Sequence, residues 1–92
     1  MAIIQIRRAI RNDHYQYSNH ALEEMDADDL LEENVRHAIF HGEVVATLAD
    51  DPRGIRFVVQ GREQFGLRII EVVCRFLPSG LLRIITVYTL AE

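Results

Sequence analysis

The sequence contains no lysine, a single cysteine, two prolines and five glycines in 92 residues. One thiol, Cys74, set in an apolar run, cannot close an intrachain disulfide or build a cysteine-based zinc centre, so nothing points to a secreted disulfide scaffold. With 49 % hydrophobic and 26 % charged residues, the composition is that of a chain with a core, not of a disordered one. No apolar run approaches the ~18 residues that cross a bilayer. The opening Met1 to Arg8 carries its charges after a short apolar stretch, the reverse of a signal peptide. A chain of this length buries little more than ~60 % of its unfolded surface and cannot supply two cores. The expectation is one soluble, cytoplasmic domain over residues 1–92. There is also no Gly-x-Gly-x-x-Gly turn, phosphate loop or Gly-x-Ser-x-Gly elbow, which removes support for nucleotide-dependent and serine-hydrolase chemistry. No cofactor is expected.

The net charge of −4 taken alone argues against a nucleic-acid binder, because phosphate contacts need clustered positive charge. The average hides a division. Residues 1–51 hold eleven acids against four arginines, whereas residues 52–92 hold three acids against six arginines. All ten basic residues are arginine, whose planar fork suits bidentate capture of carboxylate or phosphate.

Ile3, Ile6 and Ile10 recur at helical spacing over residues 2–12, with Arg7 and Arg11 opposite, which predicts a short amphipathic helix ending near Asn12 and Asp13. Tyr15 and Tyr17 flank a connector. Ser18 then caps a second helix carrying His20, Ala21, Leu22 and Met25. Asp28 or Asp29 is the expected cap of a third helix, with Glu32 in capping-box spacing from Asp29. That helix buries Leu31, Val35, Ala38 and Ile39 and stops at a left-handed Gly42. Beyond it the pattern changes to period two or to continuous apolar runs: Val44 to Leu48, Ile55 to Gln60, Leu67 to Phe76 and Leu81 to Tyr88. Breaks too short for crossover helices separate these runs, so the predicted fold is α+β, with N-terminal helices on one face of a four-stranded antiparallel meander.

The other sheet face is then open. Alternation assigns to it Arg56, Val58 and Gln60, then Ile69, Glu71, Val73 and Arg75, and in the last strand Arg83, Ile85 and Val87, with Thr86 and Tyr88 turned inward. A one-residue bulge would invert every side chain after it. A face mixing apolar residues with arginine suits docking: a second copy of the chain, a protein partner or a nucleic-acid strand. His37 and His41, four apart with Glu33 in the same row, have metal-ligand spacing but no third ligand or HExxH frame, so no metal is assigned. His20 and Glu24 form a similar helical pair, read either as a surface ion pair or as a glutamate that holds the imidazole. Metal-independent phosphodiester cleavage needs a proton shuttle and cations around the pentacovalent transition state; His20 with Arg56 and Arg83 meets that requirement by residue type.

The run Tyr17-Ser18-Asn19-His20-Ala21-Leu22-Glu23-Glu24-Met25, followed by Asp28 to Val35, Gly42-Glu43-Val44, Asp50 to Gly54, Phe57 to Gly61 and Arg83 to Tyr88, resembles the domain of unknown function 4258 family over about residues 15–88. That family is similar to the RelE/ParE-type superfamily of small bacterial toxins. The resemblance implies helices packed on an antiparallel sheet, mRNA cleavage as the activity, mRNA or the ribosome as target, and a partner antitoxin, often a zinc-ribbon protein, that sequesters the toxin. It carries over His20, Thr86 and Tyr88 as site residues. It also implies arginines where this chain has Glu24 and Asp28, so two cations near the histidine are replaced by acids. An alternative reading is a non-catalytic binding module or homodimer using the open face. In a third, the acids of residues 23–33 imitate nucleic acid toward a basic partner.

Overall fold

The computed structural model describes residues 1–90. Helix α1 (Ala2–Arg11) buries Ile6, Ala9 and Ile10, as its periodicity predicts. Strand β1 (Tyr15–Tyr17) and helix α2 (Asn19–Ala27) follow, then helix α3 (Glu32–His41) and strands β2 (Glu43–Leu48), β3 (Arg56–Arg62), β4 (Ile69–Phe76) and β5 (Leu82–Thr89). The sheet order is β1-β5-β4-β3-β2. Val59, Val72 and Val87 stand in register on the inner face and are fully buried against the helices, beside Ile70, Cys74 and Ile84.

The class is α+β as predicted, but the four-stranded antiparallel meander is corrected to a five-stranded mixed sheet. The Tyr15–Tyr17 connector is a strand, and it pairs parallel to β5, Tyr15 opposite Leu82 and Tyr17 opposite Ile84. Three residues are too few to display a period of two, and their partners lie at the far end of the chain.

Three helix ends also differ from expectation. Asp28 closes α2 and does not cap α3; Leu31 stands at the α3 N-cap, where its N–H is accepted by the Asn34 side chain at 2.8 Å. Leu31 consequently points outward at 60 % exposure, and Leu30 takes the buried place. Gly42 has φ −99°, outside the left-handed region. Its need for glycine is steric, because a Cβ there would lie 2.8 Å from the Gln60 carbonyl carbon. The orphan carbonyls of α3 are met instead by Arg7 of α1, whose guanidinium donates to Ile39 O at 3.1 Å and Gly42 O at 2.8 Å.

Ser18 is the α2 N-cap predicted from sequence, its hydroxyl accepting the Ala21 N–H at 3.0 Å. The same hydroxyl donates to Ile85 O at 2.7 Å, so one buried side chain fixes the start of α2 to β5. β1 ends at Tyr17, leaving the outer edge of β5 beyond Ile84 without a strand neighbour. Helix α2 runs along that edge. Glu24 accepts the Val87 N–H at 2.9 Å, and Asp28 accepts the Thr89 N–H at 3.4 Å and its hydroxyl at 3.3 Å. Four helical residues rise about 6 Å and two strand residues about 6.7 Å, so carboxylates spaced i, i+4 match amides spaced i, i+2. The two acids that replace the arginines implied by the family resemblance thus close a sheet edge.

Glu24→Ala leaves the Val87 amide without its acceptor and is expected to cost about 1–3 kcal/mol, the usual penalty for an orphaned buried donor. Glu24→Gln keeps an acceptor oxygen and should recover most of it. Native-state hydrogen exchange at Val87 checks this directly. An unchanged exchange rate in the alanine variant would show that α2 does not seal the edge.

Candidate site on the open sheet face

The open face is ordered in rows by the strand register. Phe57 pairs with Cys74 in β3 and β4, and Arg75 pairs with Arg83 in β4 and β5, so Arg56, Arg75 and Arg83 form one line across three strands. Gln16 of β1 extends it, accepting a hydrogen bond from the Arg83 guanidinium at 3.0 Å. The next row holds Val58, Val73 and Thr86. The third holds Gln60, Glu71 and Tyr88, where the Gln60 amide donates to Glu71 Oε2 at 2.9 Å and the Tyr88 hydroxyl donates to Glu71 Oε1.

The last strand reaches this arrangement through a bulge. Val73 pairs with Thr86 and Cys74 with Ile84, which leaves Ile85 as an extra residue. After it the alternation inverts: Val87 is fully buried, and Thr86 and Tyr88 join the open face. The assignment of Val87 outward and of Thr86 and Tyr88 inward is therefore corrected. The bulge sits where Ser18 holds the Ile85 carbonyl, which ties the change of register to the α2 cap.

Charge along the arginine row is uneven. Arg56 pairs with Asp50 at 3.0 Å and lies 3.9 Å from Asp51. Asp51 is bound more closely by Arg53 at 2.9 Å, and the Arg53 contacts hold its carboxyl down to about 2. Among the described residues neither Arg75 nor Arg83 meets a carboxylate, and the buried Arg75 Nε has no hydrogen-bond partner. In the carboxylate row, the hydrogen bond to Glu71 comes first and partial burial second in pushing the Tyr88 phenol up to about 12, so it stays a neutral donor.

The five site residues expected from sequence fall into two groups. His20, Arg83, Thr86 and Tyr88 are arrayed along β5 and the helix beside it. Arg56 lies two strands away and is already neutralised. His20 is one turn before Glu24 on the edge-facing side of α2, its Nε2 3.4 Å from Glu24 Oε1, and its side chain is 64 % exposed. Arg75, which alternation places on this face but which residue-type reasoning does not select, holds the centre of the row. Glu71, also on the face, is the group that positions Tyr88. Cross-strand register is the missing signal, and it is not written in any one segment.

Other groups are less suited to chemistry. Cys74 is buried, and burial pushes its thiol up to about 12. Among the described residues no three His, Cys, Asp or Glu side chains converge as a closed metal centre, and no helix is long and apolar enough to cross a membrane.

Fold and site define a class: an α+β domain whose helices cover one face of a mixed sheet and whose open face carries an arginine row beside hydroxyl and carboxylate side chains. Residues 17–89 match the family described as Domain of unknown function (DUF4258), and the chain belongs to that family. The match begins at Tyr17, so it takes in Ser18, His20, the bulge and Tyr88 but leaves α1 outside. No curated protein matches the chain, and no solved structure does.

Proposed function

We propose that the open sheet face holds a phosphodiester chain and that the protein is a toxin-like, RNA-directed member of its family, related to RelE/ParE-type toxins and neutralised by a partner antitoxin. The observation that supports this best is the pair Arg75 and Arg83, adjacent in register and without carboxylate partners among the described residues, beside Thr86 and Tyr88. Guanidinium groups without a carboxylate, on a face with hydroxyl donors, fit a phosphate better than they fit an apolar partner. Cleavage on this face is a transesterification. The ribose 2′-oxygen bonds to phosphorus as its proton passes to His20, the bond from phosphorus to the 5′-oxygen breaks, and that oxygen takes up a proton from water or the Tyr88 hydroxyl. Arg75 and Arg83 offset the charge that builds on the non-bridging oxygens. Glu24 holds the imidazole that accepts the first proton.

Arg75 and Arg83, without a carboxylate among the described residues, set the salt dependence. Binding of labelled single-stranded RNA is expected to weaken with salt at a slope near +1.4 in log Kd against log concentration, from about 0.7 per phosphate neutralised on a single strand. A slope near +2 would bring Arg56 into the contact as well. Induction of the protein is expected to arrest growth and cut mRNA. Normal growth, intact RNA and no RNA binding would together overturn the reading.

The alternative of a homodimer or protein-binding module needs the apolar row as its contact. Val58, at the β3 end of that row, is only 8 % exposed beneath its neighbours, so the row offers little area to bury. Light scattering on the isolated chain separates the two, with a monomer expected.

A further inference from the structure

We propose a second site, unconnected with the open-face chemistry: an open, two-imidazole centre for a divalent first-row transition ion, formed by His41 at the end of α3 and His37 one turn before it. The two rings are stacked, with centroids 4.3 Å apart and planes inclined by 29°. The arrangement around His37 is the specific one. Its Nδ1–H donates to the Arg62 carbonyl at 3.0 Å, which fixes the tautomer and leaves the Nε2 lone pair free. Metal-ligating histidines are held in this way by a carbonyl or carboxylate on the far ring nitrogen, which orients the ring and raises the basicity of the ligating atom.

The pair lines a cleft of about 420 Å³ between the end of α3 and the β2–β3 edge, with Glu43, Gln60 and Gly61 opposite. The close approach of α3 to Gly61 builds this cleft and brings the Arg62 carbonyl to His37. Neighbouring cations are turned away: the Arg62 guanidinium donates to Leu67 O at 3.2 Å, and Arg36 is engaged by Tyr15 at 3.2 Å. Glu33 lies one turn before His37, and Glu43 lies on the cleft wall. The negative end of the helix adds to the preference for a cation. Imidazole donors select copper, nickel or zinc over magnesium, and water fills the remaining positions.

Calorimetric titration of the full chain with the chlorides of Cu²⁺, Ni²⁺, Zn²⁺ and Mg²⁺, followed by the ring resonances of the four histidines, tests the assignment. One ion per chain is expected, with Cu²⁺ tightest and Mg²⁺ without effect, and with His37 and His41 as the resonances that shift. His37→Ala and His41→Ala should each weaken binding at least tenfold, while His14→Ala and His20→Ala should leave it unchanged. Circular dichroism on each variant establishes that it is folded. Saturable binding that survives His37→Ala/His41→Ala, an equal response to Mg²⁺, or no binding at all overturns the proposal. So does a response of these two rings to inorganic phosphate in place of the metals. None of these outcomes bears on RNA cleavage, whose residues lie on the open face and on α2 beside β5, away from the α3 and β2 side of the sheet.

Discussion

Gly61→Ala is expected to lower the unfolding free energy by about 3 kcal/mol, at the upper end of what overpacking a close contact costs. The glycine is required by neighbouring backbone, not by its own conformation. A Cβ at Gly61 would come within 2.8 Å of the Ala38 carbonyl carbon and 2.9 Å of its Cα, so the obstacle is helix main chain that cannot rotate away. To admit a methyl, α3 must lift from β3, and Val35, Ala38 and Ile39, all fully buried, would lose part of their contact with the sheet. Gly42 meets the other side of the same crossing. For a chain of this size the change corresponds to a fall in Tm of roughly 12–24 °C, at 4–8 °C per kcal/mol. Calorimetric or denaturant unfolding measures it. A variant within 0.5 kcal/mol of the parent would mean that α3 does not pack this close.

Arg83→Ala is expected to reduce RNA cleavage by about a hundredfold, the scale on which removing one preorganised donor acts on a developing oxyanion. Arg56→Ala should reduce it by less than about threefold, because Asp50 and Asp51 already occupy that guanidinium. Both residues look alike from sequence, as arginines on the open face of a strand. Their different partners separate them, so the ratio of the two effects tests the geometry beyond the mere presence of positive charge. Arg83 is partly exposed, and among the described residues its guanidinium hydrogen-bonds only to the Gln16 side chain, so its loss should leave stability nearly unchanged. Single-turnover cleavage and thermal unfolding on the same samples provide both readouts. Equal losses from Arg56→Ala and Arg83→Ala would remove the special role of the β4–β5 pair.

Much of the architecture was legible where a local rule applied. The isoleucine spacing of α1, the Ser18 cap and the four long strands each rest on a periodicity or a hydrogen bond contained within a dozen residues. Arginine alternation likewise placed Arg56, Arg75 and Arg83 on one face. Local rules fail where the decisive partner is distant. Tyr15–Tyr17 is a strand only because Leu82 and Ile84 lie beside it. Leu31 faces solvent because the Asn34 side chain, not an aspartate, caps α3. Thr86 and Tyr88 reach the open face through a single bulged residue that no alternation pattern announces.

Glu24 and Asp28 show the same division in one motif. As residues in a string, they are acids standing where the family resemblance implies arginines, and they count against chemistry at His20. In the folded chain they accept two amides of the β5 edge, a role set by the agreement between helical and strand rise.

Composition and periodicity act through neighbours along the chain, and they suffice for an α+β class with an acidic helical half and an arginine-bearing sheet half. Which arginines meet a carboxylate among the described residues, which way Thr86 and Tyr88 face, and what the acids of α2 do are set by the folded arrangement. Those outcomes depend on cross-strand register and on partners up to 67 residues apart, and a hydrogen bond between distant residues leaves no trace in local order.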